Sequence, residues 1–138
     1  MMTPREVELV QSTWSHIASR SEHVAEVFYD RLFHLDPSLR PMFSPDMMEQ
    51  RRALMEMLHI VVNGLYCFEE LRPDIEALGQ RHVGYGVVES QFDLVGRALL
   101  SMLAAELGDA FTPEVEAAWA ATYDRLATVM KSAAYSHV

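Results

Sequence analysis

The sequence predicts an all-α protein, and two observations support that prediction. Apolar residues recur every three or four positions along most of the chain, which is the spacing of one face of a helix. Proline and glycine stand between these stretches, where they start or stop helices. Sustained alternation of apolar and polar residues, the pattern of a half-buried strand, is absent from the sequence.

The first helix begins at a capping box, in which Thr3 and Glu6 each bond the other's backbone N–H and Pro4 takes the first helical position. Its inward face is expected to hold Val7, Val10, Trp14 and Ile17. A second helix is expected to start near Ser21 and to end before Asp36-Pro37, because proline disfavours a helical residue before it. The inward residues of this second helix are Val24, Val27, Phe28 and Leu32.

A third helix is expected after Asp46, whose side chain can cap it. Its stripe consists of Gln50, Leu54, Met57, Leu58, Val61 and Leu65. Gly64 is expected inside this helix, where it costs ~1 kcal/mol relative to alanine.

Three further helices complete the prediction. Pro73 is expected to begin a helix through Arg81 and His82 that Gly84 and Gly86 end. The next two are expected from Ser90 to Gly108 and from Thr112-Pro113 onward. Their inward residues are Phe92, Val95, Leu99, Met102 and Leu103 in the first, and Val115, Trp119, Tyr123, Leu126 and Met130 in the second.

Composition indicates one domain over residues 1–138 and narrows the range of partners. Half of the residues are hydrophobic, and the formal net charge is −9. An acidic chain is a poor match for nucleic acid or for an anionic membrane surface. We expect no signal peptide. We also expect no membrane span, because no apolar run approaches the ~18 residues that a span requires.

The single cysteine, Cys67, excludes an intramolecular disulfide and is expected to be a small buried hydrophobe. Cysteine usage of this kind fits a cytoplasmic protein.

His82 is the most informative candidate for chemistry, because histidine is the commonest protein metal ligand. Across from it, Gln50 is one polar residue at the head of an apolar stripe, with Leu54 and Leu58 in nearly the same direction. His59 lies half a turn away from Gln50 and is expected on the rim or in solvent. Taken singly, Gln50 can also be the solvated end of its helix, and Tyr29 and Phe43 can be ordinary core residues.

The chain resembles a bacterial single-domain globin, related to the globin part of flavohaemoglobins, over essentially its whole length. The matching stretches are Phe28–Phe33, Pro37–Phe43, Glu49–Leu54, the residues around His82, Phe92–Gly96, and Asp109–Tyr123 with Ala118, Trp119 and Tyr123. The resemblance implies a globin fold, a helical sandwich around haem b (iron protoporphyrin IX), which agrees with the all-α prediction.

The resemblance also implies residue roles. His82 falls on the position of the iron ligand, Phe43 on the residue that stacks against the porphyrin, and Tyr29 and Gln50 on the polar distal positions, with Leu54 as the apolar distal wall. The remaining lining positions are Val61, Leu78, Val87, Phe92 and Val95. Arg81 either meets a haem propionate or stays solvated. A thioether from Met47 or Met48 is an alternative sixth ligand.

Reversible binding of dioxygen is the function that this resemblance favours. A tyrosine hydroxyl and a glutamine amide donate hydrogen bonds to the partly negative outer oxygen, each contributing on the order of 1 kcal/mol, and carbon monoxide gains less. Flavohaemoglobins support the proximal histidine with a tyrosine and a glutamate, whereas Phe92 and Ala134 stand here. The expectation is therefore a binding protein rather than an enzyme, for oxygen storage, delivery or scavenging.

Three alternatives stay open. The first is nitric oxide dioxygenation with a separate reductase, since no flavin domain is present in the chain. The second is a gas sensor with a partner protein, and the third is a helical module of globin type without haem. A monomer or weak homodimer is expected.

Overall fold

A computed structural model of the chain describes residues 2–84 and 90–135, without the side chains of residues 80–84, 134 and 135. The described residues form six α-helices, several of them separated by short 3-10 turns, and no strand occurs among these residues. The helices are Pro4–Ile17 (α1), Ser21–Leu35 (α2), Met48–Asn63 (α3), Phe68–Gly84 (α4), Gln91–Leu107 (α5) and Pro113–Tyr135 (α6). The all-α prediction is confirmed for the described part of the chain.

Local chemistry sets the helix starts largely as predicted. The Thr3–Glu6 capping box opens α1. At the start of α3 the N-cap residue is Met47 and not Asp46, although the Asp46 carboxylate accepts from the backbone N–H of Met48. The Thr112 hydroxyl accepts from Val115 N at the start of α6. Ser90 precedes α5, where a serine can supply a side-chain cap, but its backbone is already helical and its side chain makes no capping hydrogen bond.

The start of α4 was also predicted wrongly. The helix begins at Phe68 and not at Pro73, which lies inside it. Phe68 is almost fully buried, and the Arg125 guanidinium lies 4.0 Å from the centre of its ring. Burial of this ring holds the chain helical ahead of the proline. Gly64 likewise stands after the last residue of α3 and not inside it.

The short turn between α3 and α4 reverses the expectation for Cys67. Leu65 and Phe68 are buried, whereas Tyr66 and Cys67 between them are exposed. Two inward anchors three residues apart place the intervening side chains on the outside of a 3-10 turn. Cys67 is therefore a surface thiol, and the prediction that it is a buried hydrophobe was wrong.

Helix α6 is the main support of the fold. It packs along α4 on one side and along α1 on another, while α2 packs across α5 and α3. At the centre, the indole N–H of the fully buried Trp119 donates to the Thr13 hydroxyl at 2.9 Å, and the Trp14 ring lies 6.1 Å from that of Trp119. None of the described helices is both long and apolar enough to cross a bilayer.

Candidate functional site

Tyr29 and Gln50 meet across two helices. Tyr29 lies on the buried face of α2, with only 6% of its surface exposed, and Gln50 lies in the first turn of α3. The amide Nε2 of Gln50 donates a hydrogen bond of 3.0 Å to the Tyr29 hydroxyl. Gln50 is exposed as a residue, yet its amide is held by a buried partner 21 positions earlier in the chain.

Aromatic rings fix the position of Tyr29. Its ring contacts Phe28 edge-on at 5.0 Å, Phe43 edge-on at 5.7 Å and Phe33 in a stacked arrangement at 5.9 Å between centroids. Phe33 and Phe43 also contact each other, at 5.5 Å. Such edge and offset contacts are the favoured geometries of aromatic pairs, so the phenol is held in one place.

Arg40 also contributes to this region, although no pattern in the sequence predicts its role. Its guanidinium lies 5.5 Å from the centre of the Phe33 ring and donates to the carbonyl oxygens of Phe43, Ser44 and Pro45. It thereby ties the segment that carries Phe43 to the ring beside Tyr29. The signal for such a role would have been an arginine three residues from an aromatic in a proline-punctuated loop, which is too common a pattern to be specific.

The protonation of Tyr29 follows from its surroundings. Burial raises the pKa of the phenol to about 12, and the hydrogen bond from Gln50 opposes part of this rise. Tyr29 therefore keeps its proton at neutral pH. Within the described part of the chain, no group accepts that proton in a hydrogen bond, so the O–H is available to an acceptor that binds beside it.

The predicted apolar lining residues occupy inward positions on three helices. Val61 and Phe92 are buried, and Leu54, Leu78 and Val95 are half-buried against the core. Leu54 follows Gln50 by one turn of α3, as the helical stripe required. The thioether of Met47 is buried in the core, and Met48 is exposed.

The proximal side is described only in part. Arg81 and His82 belong to α4, but their side chains lie outside the described residues, as does the whole of Val87. Ala134 belongs to α6, and its side chain is also outside them. On the distal side, the contacts among Tyr29, Phe43 and Gln50 are described.

A second tyrosine contact, which is partly buried, is made by Tyr123 on the side of α5. Its hydroxyl donates to the carbonyl oxygen of Phe92 at 2.5 Å, linking α6 to the first turn of α5. Burial raises the pKa of the Tyr123 phenol well above its usual range, and the nearby Asp93 carboxylate raises it further. Helical periodicity predicts an inward position for Tyr123 but does not predict this bond.

A separate cleft of about 440 Å³ lies between α3 and the α1–α2 junction. Its lining includes Trp14, Arg51, Met55 and His59, but not Tyr29, Phe43 or Gln50. His59 is exposed and accepts from the Trp14 indole through Nδ1 at 3.4 Å, which confirms that it does not share the surroundings of Gln50. The lining of this cleft carries charges of both signs. The candidate functional site is therefore the region around the Tyr29–Gln50 contact and not this cleft.

Comparison with known proteins gives a match to one family. The globin family profile matches residues 26–130. Flavohemoproteins of Rhizobium meliloti and Deinococcus radiodurans are 29% and 30% identical, each over 133 residues and 94% of this chain. The chain spans only 33% of the length of these two relatives.

Two further comparisons cover nearly whole proteins. A neuroglobin of Tetraodon nigroviridis is 27% identical over 136 residues, covering 88% of this chain and 86% of the neuroglobin. A bacterial globin structure from Campylobacter jejuni superposes with a TM-score of 0.86 at 21% identity, covering 97% of each chain. The fold predicted from the sequence is confirmed by these matches.

Proposed function

This chain belongs to the globin family, and we propose that it is a haem protein that binds dioxygen reversibly. The observation that carries the proposal is the bond between Gln50 Nε2 and the Tyr29 hydroxyl, which brings two hydrogen-bond donors together beside buried aromatic rings. A protonated phenol with no described acceptor suits a small ligand that is polar at one end.

The described residues fit a haem group on the side that they form. Phe43 offers a ring face or edge to a flat macrocycle, and Leu54 and Val61 offer apolar surface on the same helix. By family position, His82 would bind the iron through a neutral imidazole nitrogen, with Leu78, Val87, Phe92 and Val95 as apolar lining and Arg81 near a propionate. When bound, haem supplies the metal centre that coordinates the gas.

The protein's own contribution is selection among gases. With haem bound, the Tyr29 O–H and a Gln50 N–H would be the hydrogen-bond donors available to dioxygen. The phenol stays protonated at neutral pH, so it acts as a donor and not as a competing anionic ligand. Carbon monoxide would gain less from the same donors, because it is the less polar of the two ligands. Dioxygen should therefore be held tightly and released slowly.

Haem binding is tested by expressing the full chain with haem available and recording its absorption spectrum. We expect a strong haem band that His82→Ala abolishes or shifts. His34→Ala is the matched control, because His34 is an exposed histidine on α2 away from the Tyr29 ring's buried face. A wild-type protein that takes up no haem, or a His82→Ala variant with an unchanged spectrum, contradicts the proposal.

Nitric oxide dioxygenation is the second candidate function. The specific observation in its favour is similarity to two flavohemoproteins over 94% of this chain, with a match to about a third of their length. Turnover by this chain would use the same Tyr29 side chain and would require a separate electron donor. The test is to mix the oxygenated protein with nitric oxide and to follow nitrate over repeated cycles of reduction. One equivalent of nitrate and no more, whatever the reductant, argues against an enzyme.

A further inference from the structure

Helices α4 and α6 touch through their backbones at Gly79. A Cβ atom built on Gly79 would lie 2.7 Å from the Cα of Met130 and 2.9 Å from its carbonyl carbon, and it would also overlap the Met130 carbonyl oxygen. These are backbone atoms of a packed helix, which cannot rotate away as a side chain can. Only glycine therefore permits the observed approach of the two helices.

Gly64, Gly96 and Gly108 do not show this overlap with the backbone of a partner helix. At Gly64 the nearest atom is the end of the Leu71 side chain, followed by the Ile60 carbonyl oxygen of the preceding helix at 3.0 Å, and at Gly96 it is the edge of the Tyr123 ring. Gly108 has a positive φ of 55° and open space around it, so it serves to end α5. Gly79 has no positive φ and stands in the interior of a helix, where glycine is unfavourable. Close approach is what accounts for glycine at position 79.

Position 79 lies three residues before His82 on the same helix, or about 4.5 Å along its axis. We propose that Gly79 is a positioning residue: its contact with the Met130 backbone fixes where α4 lies, and thereby where His82 stands. This inference rests on the proposed role of His82 as haem ligand. An extra methyl group at position 79 pushes α4 away from α6 and displaces the ligand with it.

The same face of α6 also contacts α5, the helix that follows α4 in the chain. Tyr123, whose hydroxyl bonds the Phe92 carbonyl, stands seven residues before Met130 and so points in nearly the same direction from α6. One stripe of α6 therefore sets the position of α4 at Gly79 and of α5 at Phe92. The positions of α4 and α5 are therefore both set by contacts with α6.

Gly79→Ala tests the helix contact without haem. Alanine favours helices over glycine, so at an unobstructed position this change raises the thermal midpoint of the apoprotein. The backbone contact predicts the opposite sign, a fall. The control is Gly64→Ala, where the added methyl meets the movable end of Leu71. A rise in the midpoint of Gly79→Ala overturns the proposed contact.

The positioning role is tested in the haem-loaded protein by resonance Raman spectroscopy of the ferrous, unliganded form. We expect Gly79→Ala to shift the iron–histidine stretching frequency and to speed haem loss several-fold, while the C–O stretch of the carbon monoxide complex, which reports the Tyr29 side, stays in place. Met130→Ala is the matched control, because it removes a buried side chain but keeps the backbone that Gly79 touches.

Each outcome bears on the proposal. Met130→Ala should lower stability yet keep the iron–histidine frequency of the wild type, and a shifted frequency there overturns the proposal even if Gly79→Ala does not fold. An unshifted frequency in Gly79→Ala does the same while leaving haem binding intact. Failure of the wild-type chain to bind haem is a different result, which overturns the proposed function and not the helix contact measured in the apoprotein.

Discussion

The Gln50 amide donates to the Tyr29 hydroxyl across the junction of α3 and α2, with a length of 3.0 Å. The phenol is buried, whereas Gln50 as a residue is exposed in the first turn of its helix. The contact also leaves the phenol proton unused among the described residues. Tyr29 should therefore be the stronger determinant of ligand retention and Gln50 its support.

Tyr29→Phe should speed dioxygen dissociation several-fold, because it removes a donor worth on the order of 1 kcal/mol or more from the ligand while keeping the ring. Carbon monoxide dissociation should change less. The measurement is stopped-flow displacement of each gas from the ferrous protein. Tyr66→Phe, at a tyrosine that is 68% exposed, serves as the control. An unchanged dioxygen rate in Tyr29→Phe would sink the assignment.

Gln50→Leu should also speed dioxygen dissociation, but its effect should not add to that of Tyr29→Phe. The two side chains are hydrogen-bonded to each other, and contacting residues couple in double-mutant cycles. Dissociation rates of the wild type, both single variants and the double variant supply the cycle. Strict additivity of the logarithms of these rates would show that Gln50 acts independently of Tyr29.

The alkaline pH dependence follows from the raised pKa of Tyr29. The phenol has a pKa of about 12 in the folded protein against an ordinary value of 10.0, so the folded state retains a proton that the unfolded state loses between these values. Stability is full below pH 10 and falls as the pH rises toward 12, by on the order of 2 kcal/mol from this group. Denaturant unfolding of the wild type and of Tyr29→Phe at pH 8 and pH 11 isolates the contribution. A loss that is equally large in both proteins would assign it to other groups.

Thr13→Val should lower the free energy of unfolding by about 1–3 kcal/mol. Valine keeps the shape of threonine but leaves the indole N–H of Trp119 without its acceptor in a fully buried position. Ser12→Ala, on the exposed side of the same helix, should change stability little. The free energy of unfolding of both variants is measured by urea unfolding monitored by tryptophan fluorescence. If Thr13→Val is as stable as the wild type, the hydrogen bond from Trp119 to Thr13 does not stabilise the fold.

The helix content and most helix ends could be predicted from the sequence, because they depend on neighbours in the chain. The Thr3–Glu6 box and the stop at Gly108 are local interactions of this kind. The start of α4 could not, because it depends on burial of Phe68 beneath Arg125, a residue far along the chain. Exposure of Cys67 has the same origin, since Leu65 and Phe68 on either side take the inward positions.

Patterns along the chain suffice to predict that it is helical, that Gln50 heads the stripe of α3, and that the residue order resembles a globin. Tertiary structure alone decided that Gln50 bonds Tyr29, that Arg40 ties the Phe43 segment to Phe33, and that α4 meets α6 at Gly79. Periodicity reports which face of a helix is apolar, because it reflects one helix at a time. Which side chains meet depends on how closely and at what offset two helices pack, and that is settled by side-chain volume and backbone contact between distant parts of the chain.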